Sequence, residues 1–449
     1  MMDIDKVQKI FDLPARYIDI TLQTSETNSI LLKDGIAKDI ASGKIEGISV
    51  RVLNRIWNFV STNNIDNIFS LAEKACRGSN NGQEIKFSPG MPVEDNVKIK
   101  PKKDPLGTSL EEKIELMHEA EDELKGYKEV ISSSISYADS KSINVYLNSE
   151  GSEIHSEYPR TIFSTYVFAK KNGKIQGASE RLGGVGGLEH LKEHTEVSNE
   201  AAAKAIRLLH AGEAPKGNHS IILDPRLNGV FMHEAVGHAV EADHVIQGES
   251  ILESKLKKKI ASSDVTLFDD PTLKNSFGFY HYDSEGTKAM KKAVIKDGLL
   301  NTYLHSRESA STMKQIKTGN ARSQSFDHPP IVRMSNTYIE PKDYRFNEML
   351  EEIDFGVYLK GSKGGEVDPA RGVFQFNAEE GFLIEKGKLT TPIRDVSLSG
   401  RTLEVLHQIN AVGRDFGLHI GFCGKGSQMV PVGDGGPHVR TFATVGGTQ

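Results

Sequence analysis

The segment RTIFSTYVFAKKNGKIQGAS, residues 160–179, sets two runs of alternating apolar and polar residues around Lys171-Asn172-Gly173. An Asn-Gly pair between such runs favours a two-residue turn with positive φ at both central positions, so the stretch predicts an antiparallel hairpin. The pattern extends upstream. Residues 130–137 and 143–147 alternate in the same way, behind a charged helix over 110–125 with an apolar stripe at Leu110, Ile114, Met117 and Leu124. Earlier still, 17–22, 29–33 before Asp34-Gly35, and 47–53 read as a meander, and 64–77 has the spacing of an amphipathic helix. Residues 87–107, rich in Pro, Lys and Asp, read as a surface connection. Past the hairpin, Leu182-Gly183-Gly184-Val185-Gly186-Gly187 lacks the Lys and Ser or Thr of a phosphate loop and is expected to be a flexible loop before a helix over 196–210. Residues 1–215 therefore predict an N-terminal α+β domain of antiparallel sheets with helices.

From His219 onward the texture changes to short strands and Gly-rich turns, at 220–223, 293–296, 298–304, 331–337, 382–385 and 439–445. That spacing predicts a β-rich C-terminal domain over 216–449, barrel- or sandwich-like, so the fold class is α+β. The 449 residues carry 37% hydrophobic and 26% charged side chains, ordinary globular usage, which excludes a disordered chain. A net charge of -6 gives no overall attraction to nucleic acid, so no nucleic-acid partner is expected. No apolar run approaches the roughly 18 residues of a membrane span, and Asp3, Asp5 and Lys6 stand where a signal peptide would be apolar, so a cytoplasmic location is expected. Two cysteines, Cys76 and Cys423, offer no disulfide framework; Cys76 reads as a small packed thiol.

One helix carries chemistry. After the strand at 220–223 and Asp224-Pro225, residues 227–241 read LNGVFMHEAVGHAVE, apolar on nearly all sides and so expected to be buried. It nevertheless holds His233, Glu234 and His238. Two imidazoles and a carboxylate cost several kcal/mol to bury without partners, and a zinc ion would compensate. The histidines stand at i and i+5, about 140° apart on a regular helix, so convergence requires a distortion. Either a π-turn near Val236-Gly237 or a helix stop at Gly237 would supply it; the plain alternative is two core histidines satisfied by hydrogen bonds. Glu241, Asp243 and His244 lie just beyond with other geometry. The best third ligand is Cys423 in Gly421-Phe422-Cys423-Gly424-Lys425-Gly426, where glycines admit the backbone closely and Lys425 would favour the thiolate. Three ligands leave a fourth position for the water of a catalytic site, with Glu234 beside it as general base. His328, Arg322, Tyr338 and His438 are weaker candidates for oxyanion stabilisation.

The run MHEAVGHAVEADH, Thr318-Gly319-Asn320-Ala321-Arg322, the stretch 333–338, Cys423-Gly424-Lys425-Gly426, Val430-Pro431-Val432-Gly433 and Thr444-Val445-Gly446-Gly447 together resemble the TldD/PmbA metallopeptidase family, on its TldD branch. Residues 47–60, ending in Ser61-Thr62-Asn63, fit as well, and residues 244–249 depart from the family's Arg-containing stretch. The resemblance implies one zinc per chain held by His233, His238 and Cys423, with Glu234 as the catalytic carboxylate. It also implies hydrolysis of unfolded or short peptides inside a dimer, either a homodimer or a heterodimer with a PmbA-like subunit. Two competing expectations keep the metal: cleavage of another amide in a cyclic or modified peptide, and a non-catalytic metal-binding regulatory subunit. An exposed strand edge near the metal would capture an extended peptide.

Overall fold

The computed structural model describes residues 7–78 and 81–447; Asp3, Asp5 and Lys6 lie outside them. Seven strands build the first sheet: β1 (Tyr17–Lys33), β2 (Ile36–Leu53), β3 (Trp57–Thr62), β4 (Glu94–Lys98), β5 (Val130–Asn148), β6 (Glu153–Lys171) and β7 (Lys174–Val185). Their order is β3-β2-β1-β5-β6-β4, with β7 also on β6. Asn172 and Gly173 take φ of +49° and +79°, and Lys171 pairs with Lys174, the hairpin the sequence predicts.

Three details differ from the sequence pattern. Strands β1 and β5 are each continuous where the alternation breaks, because polar residues at the breaks face one another across the ladder: Ser25 Oγ and Ser142 Oγ are 3.1 Å apart. The connection at 87–107 contains β4, parallel to β6. Leu182 to Val185 are not a flexible loop but the end of β7. A Cβ at Gly183 would meet Thr161 O at 2.3 Å, so glycine serves close backbone approach there.

Helices α1 (Ile68–Cys76), α2 (Leu110–Leu124) and α3 (His194–His210) cover the first sheet. The stripe at Met117 and Leu124 is buried as its spacing requires, and Ser109 caps α2 by accepting from Glu112 N–H. Burial also pushes the Cys76 thiol up, as suits a packed thiol.

The second half holds a 6-stranded and a 10-stranded open sheet, and among the described residues no sheet closes into a barrel. The helix α4 (Pro225–Met232) lies between them. Asp224 caps it by accepting from Leu227 N–H, and Pro225 occupies the first turn, where its missing N–H costs nothing. Phe231, Met232 and Val236 join the same core as Val357 and Leu359 from one sheet and Val430 and Val432 from the other. At the junction of the halves, buried Arg51 ties Asp19 of β1 (2.6 Å) to Glu285 (3.2 Å). No helix among the described residues is long and apolar enough to cross a membrane.

Candidate metal centre

Immediately after α4, residues His233–Gly237 form a π-helical turn and His238–Val240 a 3-10 turn. The extra residue per turn brings i and i+5 to the same side of the axis, and the two imidazole centroids lie 5.3 Å apart. Gly237 makes this possible, since a Cβ there would lie 1.9 Å from Met334 Sδ. From the other side, the strand Gly417–Lys425 delivers Cys423, whose Sγ is 3.5 Å from His238 Nε2. One potential ligand atom from each of His233, His238 and Cys423 falls within 4.8 Å of the other two.

Each ring is held from behind by a carboxylate. His233 Nδ1 lies 2.6 Å from Asp434 Oδ1, and His238 Nδ1 lies 2.9 Å from Glu241 Oε2. Both contacts leave Nε2 for the centre, the orientation that carboxylate-backed metal histidines adopt. Glu241 is fully buried, and its carboxyl is held down at about 2: burial opposes this, but His238 and Lys425 outweigh it. Glu234 Oε2 is 3.7 Å from His238 Nε2 on a side chain 35% exposed, so it reaches both the centre and solvent.

The donors compete for protons. Burial raises the Cys423 thiol, yet the His233 and His238 imidazoles overcome it and hold the thiol at about 5. Burial likewise works against charging His238, but Glu241 and Cys423 lift it to about 10, and Asp434 and Cys423 raise His233 well above its usual range. A buried thiolate between two imidazoles that hold protons in place of a cation has the donor set of a His2Cys zinc centre. These residues fit zinc.

Lys425 does not act on the thiol as the sequence suggests. Its Nζ sits 2.8 Å from Asp243 and 3.1 Å from Glu241. Glu241, Asp243 and His244 form a second group of three donors within 4.8 Å of one another, and this ammonium already occupies it. Three of the weaker candidates are engaged elsewhere: His328 contacts Asp327, Tyr338 donates to Asp270, and His438 bridges Asp415 and Tyr358, whereas Arg322 lies close enough for its charge to act on Cys423. Arg322 donates to the carbonyls of Met334 and Pro431. Sequence reasoning missed the backing role of Asp434 and Glu241. The available signals were a lone carboxylate in the Gly-rich run after Val432, and a carboxylate three residues past His238 in an otherwise apolar segment.

A largely buried zinc-type donor set beside a carboxylate, on an α+β scaffold of open sheets, fits the class of metallopeptidases. The chain belongs to the PmbA/TldD family: models described as PmbA/TldA metallopeptidase domain 1, central domain and C-terminal domain match residues 18–79, 103–209 and 216–447. It is 43% identical to a metalloprotease of Methanocaldococcus jannaschii over 99% of this chain and 100% of that one. It is 45% identical to a metalloprotease of Methanothermobacter thermautotrophicus over 96% of each. A zinc metalloprotease TldD homolog of Saccharolobus solfataricus is 30% identical over 97% of each chain. The crystal structure of TldE from Thermococcus kodakarensis shares the fold, with TM-score 0.77 at 16% identity over 99% of this chain and 100% of that one.

Proposed function

We propose that the protein is a zinc-dependent peptidase that hydrolyses unfolded or short peptides, with one zinc per chain on His233, His238 and Cys423 and with Glu234 as general base. The observation that carries this reading is the convergence of two buried donors, His233 and Cys423, and the part-buried His238 at the π-turn, with a partly exposed carboxylate beside them. Zinc bound there supplies Lewis acidity toward the scissile carbonyl and toward water. Glu234 accepts a proton from the attacking water and passes it to the leaving amine, and its exposure gives water access. Asp434 and Glu241 keep each Nδ1 occupied, so neither ring turns its free nitrogen away from the site.

Glu234 also favours an enzyme over a regulatory metal-binding subunit, because a closed structural site has no use for a general base. Strand capture of substrate finds support in Gly417–Lys425, which carries Cys423 and is the outermost strand of its sheet. The reading includes a cytoplasmic location, the division into domains 1–215 and 216–449, and a homodimer or a heterodimer with a PmbA-like subunit. The TldE neighbour supports the heterodimer through fold alone.

The test is Glu234→Gln in zinc-loaded protein. Hydrolysis of an unfolded peptide is expected to fall by about 10²–10⁴ while zinc content stays at one per chain. Cleavage at the parental rate would remove Glu234 as the base.

A further inference from the structure

A cleft of about 180 Å³ runs between the first sheet and the loops of the second half. Arg160 of β6 and Arg322 line it, and neither forms an ion pair with a carboxylate among the described residues. Arg160 donates to the carbonyls of Phe277 and Phe279 at 3.4 and 3.3 Å. Arg322, 7% exposed, donates to those of Met334 and Pro431. Behind them Arg333, fully buried, also donates only to carbonyls, those of Cys423 and Gln428.

Like charges withdrawn from water lose hydration and repel; Asp269 and Cys423 act on Arg322 from a distance and Tyr280 and Tyr158 offer ring faces, but no carboxylate among the described residues pairs with either guanidinium. The strain registers on Arg160, whose guanidinium is pushed down to about 10 by burial and by Arg322. Asp283, in the same wall, does not balance them. Its oxygens accept from the amides of Glu285, Thr287 and Ala321, and burial with the nearby Glu285 lifts its carboxyl to about 7. The rest of the wall is uncharged and mixed, with Ile154 and Phe326 beside Gln23, Asn144, Ser156 and Gln324, whose polar groups can hydrogen-bond a peptide backbone. The cleft adjoins the metal centre through Pro431, whose carbonyl holds Arg322 and which pairs with Phe422, next to Cys423.

We propose that this cleft is a carboxylate subsite that takes the C-terminal carboxylate of a peptide, with Arg160 and Arg322 as its cationic partners. The proposal deepens the peptidase reading and rests on it for the identity of the ligand. A planar guanidinium fork matches a carboxylate, and two such groups lining one polar cleft favour entry of the carboxylate end of a peptide.

The test is binding to metal-free protein, where no hydrolysis occurs, of a fluorescent hexapeptide with a free C-terminus and of its C-terminal amide. The free acid is expected to bind at least about tenfold more tightly. That preference should vanish in Arg160→Gln and persist in part in Arg160→Lys, with thermal unfolding confirming that both variants fold. Equal binding of acid and amide by the parental protein, which needs no variant, overturns the proposal. So does a preference that survives in both Arg160→Gln and Arg322→Gln. Displacement by millimolar inorganic phosphate without any acid-over-amide preference would assign the cleft to a free anion and also overturn it. An acid preference in a zinc-loaded protein that cleaves nothing would sink the peptidase reading while leaving this subsite standing.

Discussion

Two donor clusters lie side by side at the end of the buried helix, and both place three potential ligand atoms within 4.8 Å. One, His233, His238 and Cys423, has no lysine or arginine side chain paired with its donor atoms among the described residues, and its positive charge is carried by protons on the two imidazoles. The other, Glu241, Asp243 and His244, already contains Lys425 Nζ at 2.8 and 3.1 Å. The difference teaches that donor proximity alone does not define a metal site. An internal ammonium satisfies the hard oxygen donors, whereas the nitrogen and sulfur donors face one another with no ammonium between them, and carboxylates stand behind the two rings. The clusters are also coupled, since Glu241 belongs to both: it accepts from Lys425 and backs His238.

That comparison breaks most completely at Cys423. Replacing it with Ala is expected to take zinc from one per chain to none by elemental analysis, leaving two imidazoles for an ion that takes at least three protein ligands. Asp434→Asn should leave the first cluster intact and weaken zinc binding about 10–100-fold in competition with a chelator, because the ring of His233 loses the negative charge behind it. Lys425→Met attacks the second cluster. It leaves fully buried Glu241 with His238 as its remaining charged partner and is expected to lower stability by about 1–3 kcal/mol, read as a lowered Tm.

The smallest effect is a titration. In metal-free protein the ultraviolet absorbance of the Cys423 thiolate should persist from neutral pH down to about 5 and then disappear as acid protonates the sulfur. The sign follows from the lowered value: the charged form dominates above it and is lost below it. Absorbance that vanishes near the ordinary thiol value of 9.0 would mean that the imidazoles do not act on the sulfur.

Much of this was legible in the sequence because it depends on local chemistry. Asn172-Gly173 dictates its turn, and the apolar surround of His233 and His238 demands compensation for burying them. The i,i+5 spacing pointed to a π-turn or a helix stop at Gly237, and the turn at His233–Gly237 is π. What the sequence did not reveal depends on pairings distant along the chain. The contact of Asp434 with His233 joins residues on separate elements, and no periodicity encodes it. Lys425 was assigned to the wrong neighbour for the same reason, since proximity to Cys423 along the chain says nothing of the carboxylates that the fold brings to it. The glycines after Leu182 look like flexibility in one dimension and act as clearance in three.

Gly229 in α4 meets Gly435 so closely that a Cβ would come within 2.2 Å of its amide nitrogen. Helix and strand therefore touch main chain to main chain one residue from Asp434, with no rotamer interposed. The alignment of ring and carboxylate is thereby uncoupled from how the surrounding aliphatic residues fit together. Exchanging Val for Ile or Leu for Met in that interior is expected to alter melting behaviour while leaving the placement of the ring beside its carboxylate, which the two main chains set, unchanged.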